Sequence, residues 1–204
     1  HQQRGLEDFL VGIPGLIRPD LFSKKDKMDS LHTFIEAMPK VELHVHLEGS
    51  VRPPTLLKLA ERHGIQLPAR DEAGLKQWYT FRDFDHFVEI YLTISSCLQT
   101  PDDIELITRE FLLEQARQNI RYTEATFTPY NQYTGNGLGF QEQIDAVNRA
   151  RSWAEEELGV RLGIITDIPR MIPPEEGLRA ARWAVEAFGD GVIALGLGGP
   201  EVDN

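Results

Sequence analysis

The strongest chemical signal in the sequence is a pair of histidines, His44 and His46, separated by one valine. The residues around them alternate in polarity, with one apolar set (Val41, Leu43, Val45 and Leu47) and one polar set (Glu42, His44, His46 and Glu48). Such alternation is typical of a β-strand, in which residues i and i+2 project from the same face. Both imidazoles could therefore bind one metal ion. The alternative is a pair of exposed histidines on an edge strand, because so short a motif also arises by chance.

A second signal is the glycine-rich run Gly-Leu-Gly-Gly-Pro-Glu from Gly196 to Glu201. A dinucleotide-binding fingerprint would need glycine at the last position of this run, and a phosphate-binding P-loop would need a Gly-Lys-Ser/Thr ending. Both nucleotide-binding interpretations are therefore excluded. The glycines could let the backbone approach a ligand closely, and a tight turn after a strand explains them equally well.

An aromatic cluster lies between Trp78 and Phe87 and includes Tyr79, Phe81 and Phe84. Aromatic residues at helical spacing are usually part of a core, and the functional alternative is a lid over an apolar pocket. Cys97 is the only cysteine, so the chain can form no internal disulfide and suits a reducing compartment. We expect Cys97 to be a small buried apolar residue.

These residues need secondary-structure elements to position them, and the sequence predicts strands and helices in alternation. Strands are predicted over 41–48, 120–127, 160–168 and 192–197, and helices over 54–63, 83–98, 101–119, 141–158 and 174–188, with a glycine-rich loop over 131–139. Such alternation indicates parallel strands with crossover helices, in a doubly wound sheet or a β/α barrel. In β/α barrels the functional groups lie at the carboxyl ends of strands, which is where His44 and His46 fall.

The composition is that of an acidic globular protein, with 21 Lys and Arg against 32 Asp and Glu and a net charge of −11. This balance disfavours nucleic acid and anionic membrane surfaces as partners, because both need clustered basic residues. No apolar run is long enough for a transmembrane helix, and the N-terminus lacks the pattern of a signal peptide. We therefore expect a cytoplasmic protein.

Residues 1–27 differ from the rest, because Gly12, Pro14, Gly15 and Pro19 interrupt any periodic pattern. We expect this segment to be a leader or tag-like extension, and residues 28–204 to form one domain. A short helix is predicted after Met28, capped by Asp29 or Ser30 and ended by Pro39.

Three segments resemble the adenosine deaminase family, within the amidohydrolase superfamily. Residues 38–50 (MPKVELHVHLEGS) resemble its opening motif, residues 121–129 (RYTEATFTP) its second-strand segment and residues 195–201 (LGLGGPE) its strand-4 glycine motif. The resemblance implies a (β/α)8 TIM barrel with one zinc ion at the carboxyl-end mouth. It also implies hydrolytic replacement of the 6-amino group of a purine by oxygen, with release of ammonia.

The resemblance assigns roles to particular residues. His44 and His46 match the first two zinc ligands, and His46 also lies at the substrate. Glu48 matches an acidic substrate-binding position that is Asp in many adenosine deaminases, and Gly199 matches a glycine whose backbone N–H contacts the purine ring. The third zinc histidine, the proton-donor glutamate, the histidine that assists the attacking hydroxide and the paired aspartates are expected beyond Asn204. We therefore expect no catalytic residue within this chain.

Length adds a further expectation, because a barrel of this class has about 250 residues and the 204 present would hold about four of eight β/α units. The chain alone is expected to be inactive, with the second half of the barrel supplied as a further segment or a separate chain. Adenosine is the first expected substrate because it is the commonest in the family, followed by adenine and aminodeoxyfutalosine. Two other classes stay open, a non-catalytic fragment or binding module and a different H-x-H metallohydrolase such as a phosphoesterase.

Overall fold

The computed structural model describes residues 24–200, with side chains from residue 30 onward. The chain divides into two compact units, residues 1–38 and 39–204. The interpretation of residues 1–27 as a leader or tag-like extension stays a prediction. Among the described residues, every helix is too short or too polar to cross a membrane. Most of the predicted leader and the end of the glycine motif at Glu201 lie outside the described residues.

The described helices are α1 (Lys24–Ala37), α2 (Pro53–His63), α3 (Glu72–Trp78), α4 (Phe84–Ser96), α5 (Pro101–Arg117), α6 (Pro129–Asn136), α7 (Phe140–Leu158) and α8 (Pro174–Glu186). The strands are β1 (Lys40–His46), β2 (Ile120–Phe127), β3 (Arg161–Pro169) and β4 (Val192–Gly198). Helix α1 belongs to the first unit, and every other element belongs to the second.

The four strands form one parallel sheet in the order β1-β2-β3-β4. Parallel neighbours need crossover connections, and helices supply them after each of the first three strands. The strand residues Ala125, Phe127 and Ile164 are almost fully buried in a core that also takes Ile104, Leu112, Ile144 and Val147 from α5 and α7. The predicted alternation of parallel strands and crossover helices is confirmed, and the strand bounds agree to within one or two residues.

Helix ends follow the capping residues in the sequence. Helix α2 begins at Pro53 and ends at Gly64, which has the left-handed φ of 67° that glycine adopts without strain. Helix α5 begins after Thr100, whose hydroxyl accepts a hydrogen bond from the Asp103 N–H while the Asp103 carboxylate accepts one from the Thr100 N–H. This reciprocal capping box fixes the start of α5 at the predicted residue.

Strand β1 departs from the predicted alternation because it contains an irregularity. Glu42 pairs with Thr123 and Val45 with Ala125, so β1 advances three residues while β2 advances two. An extra residue of this kind reverses which face the following side chains occupy. Glu42, predicted to share a face with His44 and His46, instead accepts a hydrogen bond of 2.7 Å from the Gln115 amide on α5. The prediction of a single uninterrupted polar face was therefore wrong.

Three other local predictions were also wrong. The glycine-rich segment 131–139 is mostly helix α6, because Pro129 suits the first helical turn and Gly137, with φ of 72°, ends the helix. Strand β1 ends at His46, so Glu48 lies in a 3-10 turn rather than on the strand. Helix α1 begins at Lys24 rather than at residues 29–30, since no Pro or Gly interrupts the sequence there.

Candidate metal and substrate site

One cavity is lined by residues from the carboxyl ends of all four strands. The lining includes a pair of residues at spacing i, i+2 from each strand end, and these pairs are His44 and His46, Thr126 and Thr128 (which directly follows β2), Ile165 and Asp167, and Gly196 and Gly198. The cavity has a volume of about 730 Å³. This arrangement places the predicted histidine pair and the predicted glycine motif in the same site, as parallel strands require of their carboxyl ends.

His44 and His46 lie side by side, with ring centroids 5.7 Å apart and ring planes at 89°. Burial lowers the pKa of His46, although the Asp167 carboxylate opposes this shift. A neutral imidazole is the form that binds a metal ion. The two rings could thus supply two of the four ligands that a tetrahedral zinc site needs.

The rest of the donor set does not come from the described part of the chain. Within residues 30–200, no group of three or more His, Cys, Asp or Glu side chains is arranged to hold a metal ion. The two histidines fit a metal in type and position, and a complete site needs further ligands from elsewhere in the protein.

Asp167 is a site residue that the sequence analysis missed. Its side chain is 5% exposed, it lines the cavity near the end of β3, and its neighbours Ile165 and Ile168 made the segment look like an ordinary buried strand. Burial raises the pKa of Asp167, against opposing effects of the Thr128 hydroxyl and His46. The signal that could have found it is an acidic residue inside an otherwise apolar strand, because an unpaired carboxylate is rarely buried without a role.

The glycines of β4 make room for this carboxylate. A Cβ atom on Gly198 would lie 2.3 Å from Asp167 Oδ2, and one on Gly196 would lie 3.2 Å from Asp167 Cβ. Gly199, which also lines the cavity, has a φ of 100° that only glycine adopts readily. The approach of this backbone to a ligand, one of the two interpretations left open for the motif, stays a prediction.

Glu48 lies beneath the cavity rather than among the residues that line it. Its side chain is fully buried, and its Oε1 accepts a hydrogen bond of 2.9 Å from the Thr128 backbone N–H. Burial raises the pKa of Glu48 to about 7, although the hydrogen bond from Thr128 opposes the shift. The role in substrate binding that the resemblance implies for Glu48 stays a prediction.

Helix α4 forms one wall of the cavity, through Phe84, Phe87, Val88, Tyr91 and Leu92 at helical spacing. Phe84 and Phe87 are about half exposed, at 47% and 45%, whereas Trp78 packs against the core. The first part of the aromatic cluster therefore packs in the core, as one interpretation predicted, and its second part lines the wall of the cavity, while the role of a lid stays a prediction.

Tyr91 joins this wall to the buried layer below it. Its hydroxyl lies 2.7 Å from the Thr128 hydroxyl, within hydrogen-bond distance, and its ring lies edge-on to His46 at 6.1 Å. Burial and the Glu48 carboxylate both raise the pKa of Tyr91. Cys97, in contrast, is fully buried away from the site, as predicted.

Comparison with known proteins identifies relatives of this chain. The family model described as adenosine deaminase matches residues 39–204. The aminodeoxyfutalosine deaminase of Streptomyces avermitilis is 40% identical over 178 residues, which cover 84% of this chain and 48% of that protein. The adenine deaminase of Chlorobium phaeobacteroides is 33% identical over 175 residues, which cover 85% of this chain and 51% of that protein.

Solved structures give the same result for the fold. A zinc-bound amidohydrolase from Burkholderia ambifaria superposes with a TM-score of 0.76 at 25% identity, covering 93% of this chain and 50% of that one. The adenine deaminase of Arthrobacter aurescens superposes with a TM-score of 0.74 at 31% identity, covering 82% and 51%. The chain thus spans about half the length of these relatives, and its four parallel strands with their crossover helices are part of an amidohydrolase-type TIM barrel, as predicted.

Proposed function

Because the chain belongs to the adenosine deaminase family, we propose that it supplies the first half of a zinc-dependent hydrolase that replaces the 6-amino group of a purine by oxygen and releases ammonia. The observation that carries this proposal is the placement of His44 and His46 in one cavity with the carboxyl ends of β2, β3 and β4. A zinc ion bound there would act as a Lewis acid and activate water for attack on the purine ring.

The residues of this chain would bind and orient the reactants. His44 and His46 would hold the metal, and His46 and Gly199 would contact the substrate, with the Gly199 backbone N–H donating to the purine ring. Glu48 would bind the substrate indirectly, by positioning Thr128 and Tyr91. Its carboxylate accepts a hydrogen bond from the Thr128 N–H, and the Thr128 hydroxyl lies within hydrogen-bond distance of the Tyr91 hydroxyl. Both residues line the cavity. The proton-donor glutamate, the histidine that assists the attack and the remaining zinc ligands are proposed to come from the second half of the barrel, in the same protein or in a separate chain.

The named relatives favour a substrate other than adenosine, the substrate expected from the commonest activity of the family. Adenosine is the first expectation from the sequence, whereas the relatives compared above are named for aminodeoxyfutalosine and adenine. We propose aminodeoxyfutalosine first, because the relative named for it is 40% identical and the adenine deaminase is 33% identical. Adenine is the second candidate and adenosine the third, with all three sharing the 6-aminopurine group.

The test requires a complete barrel, either the longer natural protein or this chain co-expressed with the second half of the Streptomyces avermitilis relative. Ammonia release is measured with aminodeoxyfutalosine, adenine and adenosine, and zinc is measured per barrel. We expect turnover of at least one substrate, together with loss of both zinc and turnover in His44→Ala and His46→Ala. His32→Ala is the matched control, because His32 lies exposed on α1 beside Glu36.

Two results would contradict the proposal. One is the absence of deamination of all three substrates by a folded, zinc-loaded barrel, which would leave a binding module as the better description. The other is retention of zinc and turnover by the His44 and His46 variants. The 204-residue chain alone is expected to release no ammonia, because the resemblance assigns it only two zinc ligands and places the general acid beyond Asn204.

A further inference from the structure

The buried carboxylate of Asp167 is the feature of the cavity that the proposed roles leave unexplained. Among the residues that the structure describes, its Oδ1 atom has no hydrogen-bond partner, although the side chain is only 5% exposed. Burying a carboxylate oxygen without a hydrogen-bond donor is unfavourable, because the oxygen loses its water and gains no partner. The fold therefore retains an unfavourable group in the wall of the cavity.

Strand β4, which pairs with β3, carries glycines at the two positions that face the Asp167 carboxylate. A side chain at position 198 would overlap the Asp167 Oδ2 atom, and a Cβ atom at position 196 would lie in a tight contact of 3.2 Å with Asp167 Cβ. The two glycines therefore leave room for the Asp167 side chain itself. Because Asp167 also lines the cavity, a group bound there would be a direct neighbour of this buried carboxylate.

The protein groups closest to Asp167 do not use its free oxygen. The Thr128 hydroxyl interacts with the carboxylate and also lies 2.7 Å from the Tyr91 hydroxyl. His46 interacts with Asp167 electrostatically, yet the two histidines and Asp167 do not form a group that could hold a metal ion in the described chain. The missing donor for Oδ1 is therefore expected from whatever occupies the cavity.

We propose that Asp167 is a substrate-binding residue that determines specificity, whose carboxylate accepts a hydrogen bond from an N–H or O–H group of the purine substrate. This inference rests on the proposed function and goes beyond it, because it assigns the acceptor to a residue outside the three motifs that carry the family resemblance. The donor is either a ring N–H of a free base or a hydroxyl of an attached sugar. The two sources share the same chemistry and are separated by the substrates used below.

The experiment combines Asp167→Asn with donor-deleted substrates on the complete barrel. Aminodeoxyfutalosine is assayed with wild type and Asp167→Asn. Adenine is compared with 9-methyladenine, and adenosine with its 2′-deoxy, 3′-deoxy and 5′-deoxy analogues. We expect Asp167→Asn to lower kcat/KM by about 10- to 100-fold on the substrate that retains the donor, mainly through KM, with unchanged zinc content. The analogue that lacks the donor should lose little, because no hydrogen bond remains to be broken.

Two further variants separate this role from a structural one. Gly198→Ala displaces the carboxylate without changing it, and we expect it to reproduce the effect of Asp167→Asn without adding to that effect in the double variant. Glu124→Gln is the matched control, because Glu124 is a β2 carboxylate that already accepts a hydrogen bond of 2.8 Å from the Tyr122 hydroxyl and does not line the cavity. Circular dichroism verifies that each variant folds.

Each outcome decides between the two proposals. An equal loss of kcat/KM on all substrates and analogues, or a loss of zinc in Asp167→Asn, would overturn the role of Asp167 while leaving the deaminase proposal intact. If the wild-type barrel deaminates nothing, calorimetric binding of aminodeoxyfutalosine, adenine and adenosine replaces kinetics, and weaker binding by Asp167→Asn would still support the inference. Absence of any purine binding by the wild type would overturn both.

Discussion

Replacing Asp103 by alanine should destabilise the protein far more than the same change at its neighbour Asp102. Asp103 is fully buried at the start of α5, where its Oδ2 accepts hydrogen bonds from the backbone N–H groups of Gln99 (3.1 Å) and Thr100 (2.9 Å) and from the Thr100 hydroxyl (2.8 Å). His63 Nε2 lies 2.8 Å from the same oxygen, and Arg62 donates to the other. One carboxylate thus joins the end of α2 to the start of α5.

The expected loss of unfolding free energy follows from the hydrogen bonds and ion pairs that Asp103 makes. Two backbone N–H groups left without an acceptor cost about 1 kcal/mol each, and loss of the charge-assisted contact with the nearly buried His63 costs about 2 kcal/mol more. Arg62 is half exposed, so its ion pair adds little. We therefore expect Asp103→Ala to lower the free energy of unfolding by about 4 kcal/mol, within the range for breaking a buried ion pair.

Urea unfolding followed by circular dichroism measures this loss, with Asp102→Ala as the control. Asp102 is exposed in the same helical turn, so its replacement reports the helix-dipole effect alone, at most about 1 kcal/mol. A loss in Asp103→Ala no larger than the loss in Asp102→Ala would refute the reasoning.

The pH dependence gives a second measurement. Burial raises the pKa of Asp103, but hydrogen bonds from Thr100 and His63 outweigh burial and hold the pKa below its usual value. The stabilisation is therefore fully present above the unfolded-state pKa of about 3.9, and it is lost as the pH falls through the folded-state value. The difference between wild type and Asp103→Ala should shrink below about pH 4. A constant difference down to pH 3 would contradict the assignment.

Two further predictions concern the sheet edges and helix α6. Leu43 on β1 and Leu195 on β4 are exposed on the edge strands, so changing both to Lys should reduce concentration-dependent self-association of the 204-residue chain in sedimentation velocity, whereas Leu178→Lys on α8 should not. Gly135→Ala should raise the unfolding free energy by about 0.5–1 kcal/mol and Gly137→Ala should lower it by about 1 kcal/mol, because both sites are open but only Gly137 has a positive φ. Equal effects of the two alanines in urea unfolding would contradict this explanation.

The features that the sequence predicted correctly are those with local causes. Strand β2 was predicted with its observed bounds because apolar and β-branched residues fill it and Pro129 follows closely, and α5 was placed correctly by its capping residues. His44 and His46 were found because two residues on one strand share a face whatever the rest of the fold does. These signals need no knowledge of contacts between distant segments.

The features that the sequence analysis missed depend on contacts between segments. The irregularity in β1 that turns Glu42 toward α5 is defined only by its pairing with β2, since the alternation of residue types gives no sign of it. Glu48 looked like the last residue of a polar face, yet its burial depends on the backbone of Thr128, 80 residues later in the chain. Local sequence patterns do not identify partners that lie so far away in the chain.

The glycine motif shows how a signal on one strand can report a residue on another. Gly196 and Gly198 were interpreted from the sequence as an approach for a ligand or as a turn, while the structure shows that their missing side chains admit Asp167 of β3. The two positions are therefore coupled sterically: a side chain at 198 is compatible with the fold only if the carboxylate at 167 moves or is absent. Restoring volume at 198 in an Asp167→Gly background should consequently be tolerated, with Asp167→Gly/Gly198→Ala unfolding at a urea concentration no lower than Asp167→Gly alone. A further loss in the double variant would show that the glycine at 198 is required by the backbone and not by the carboxylate opposite it.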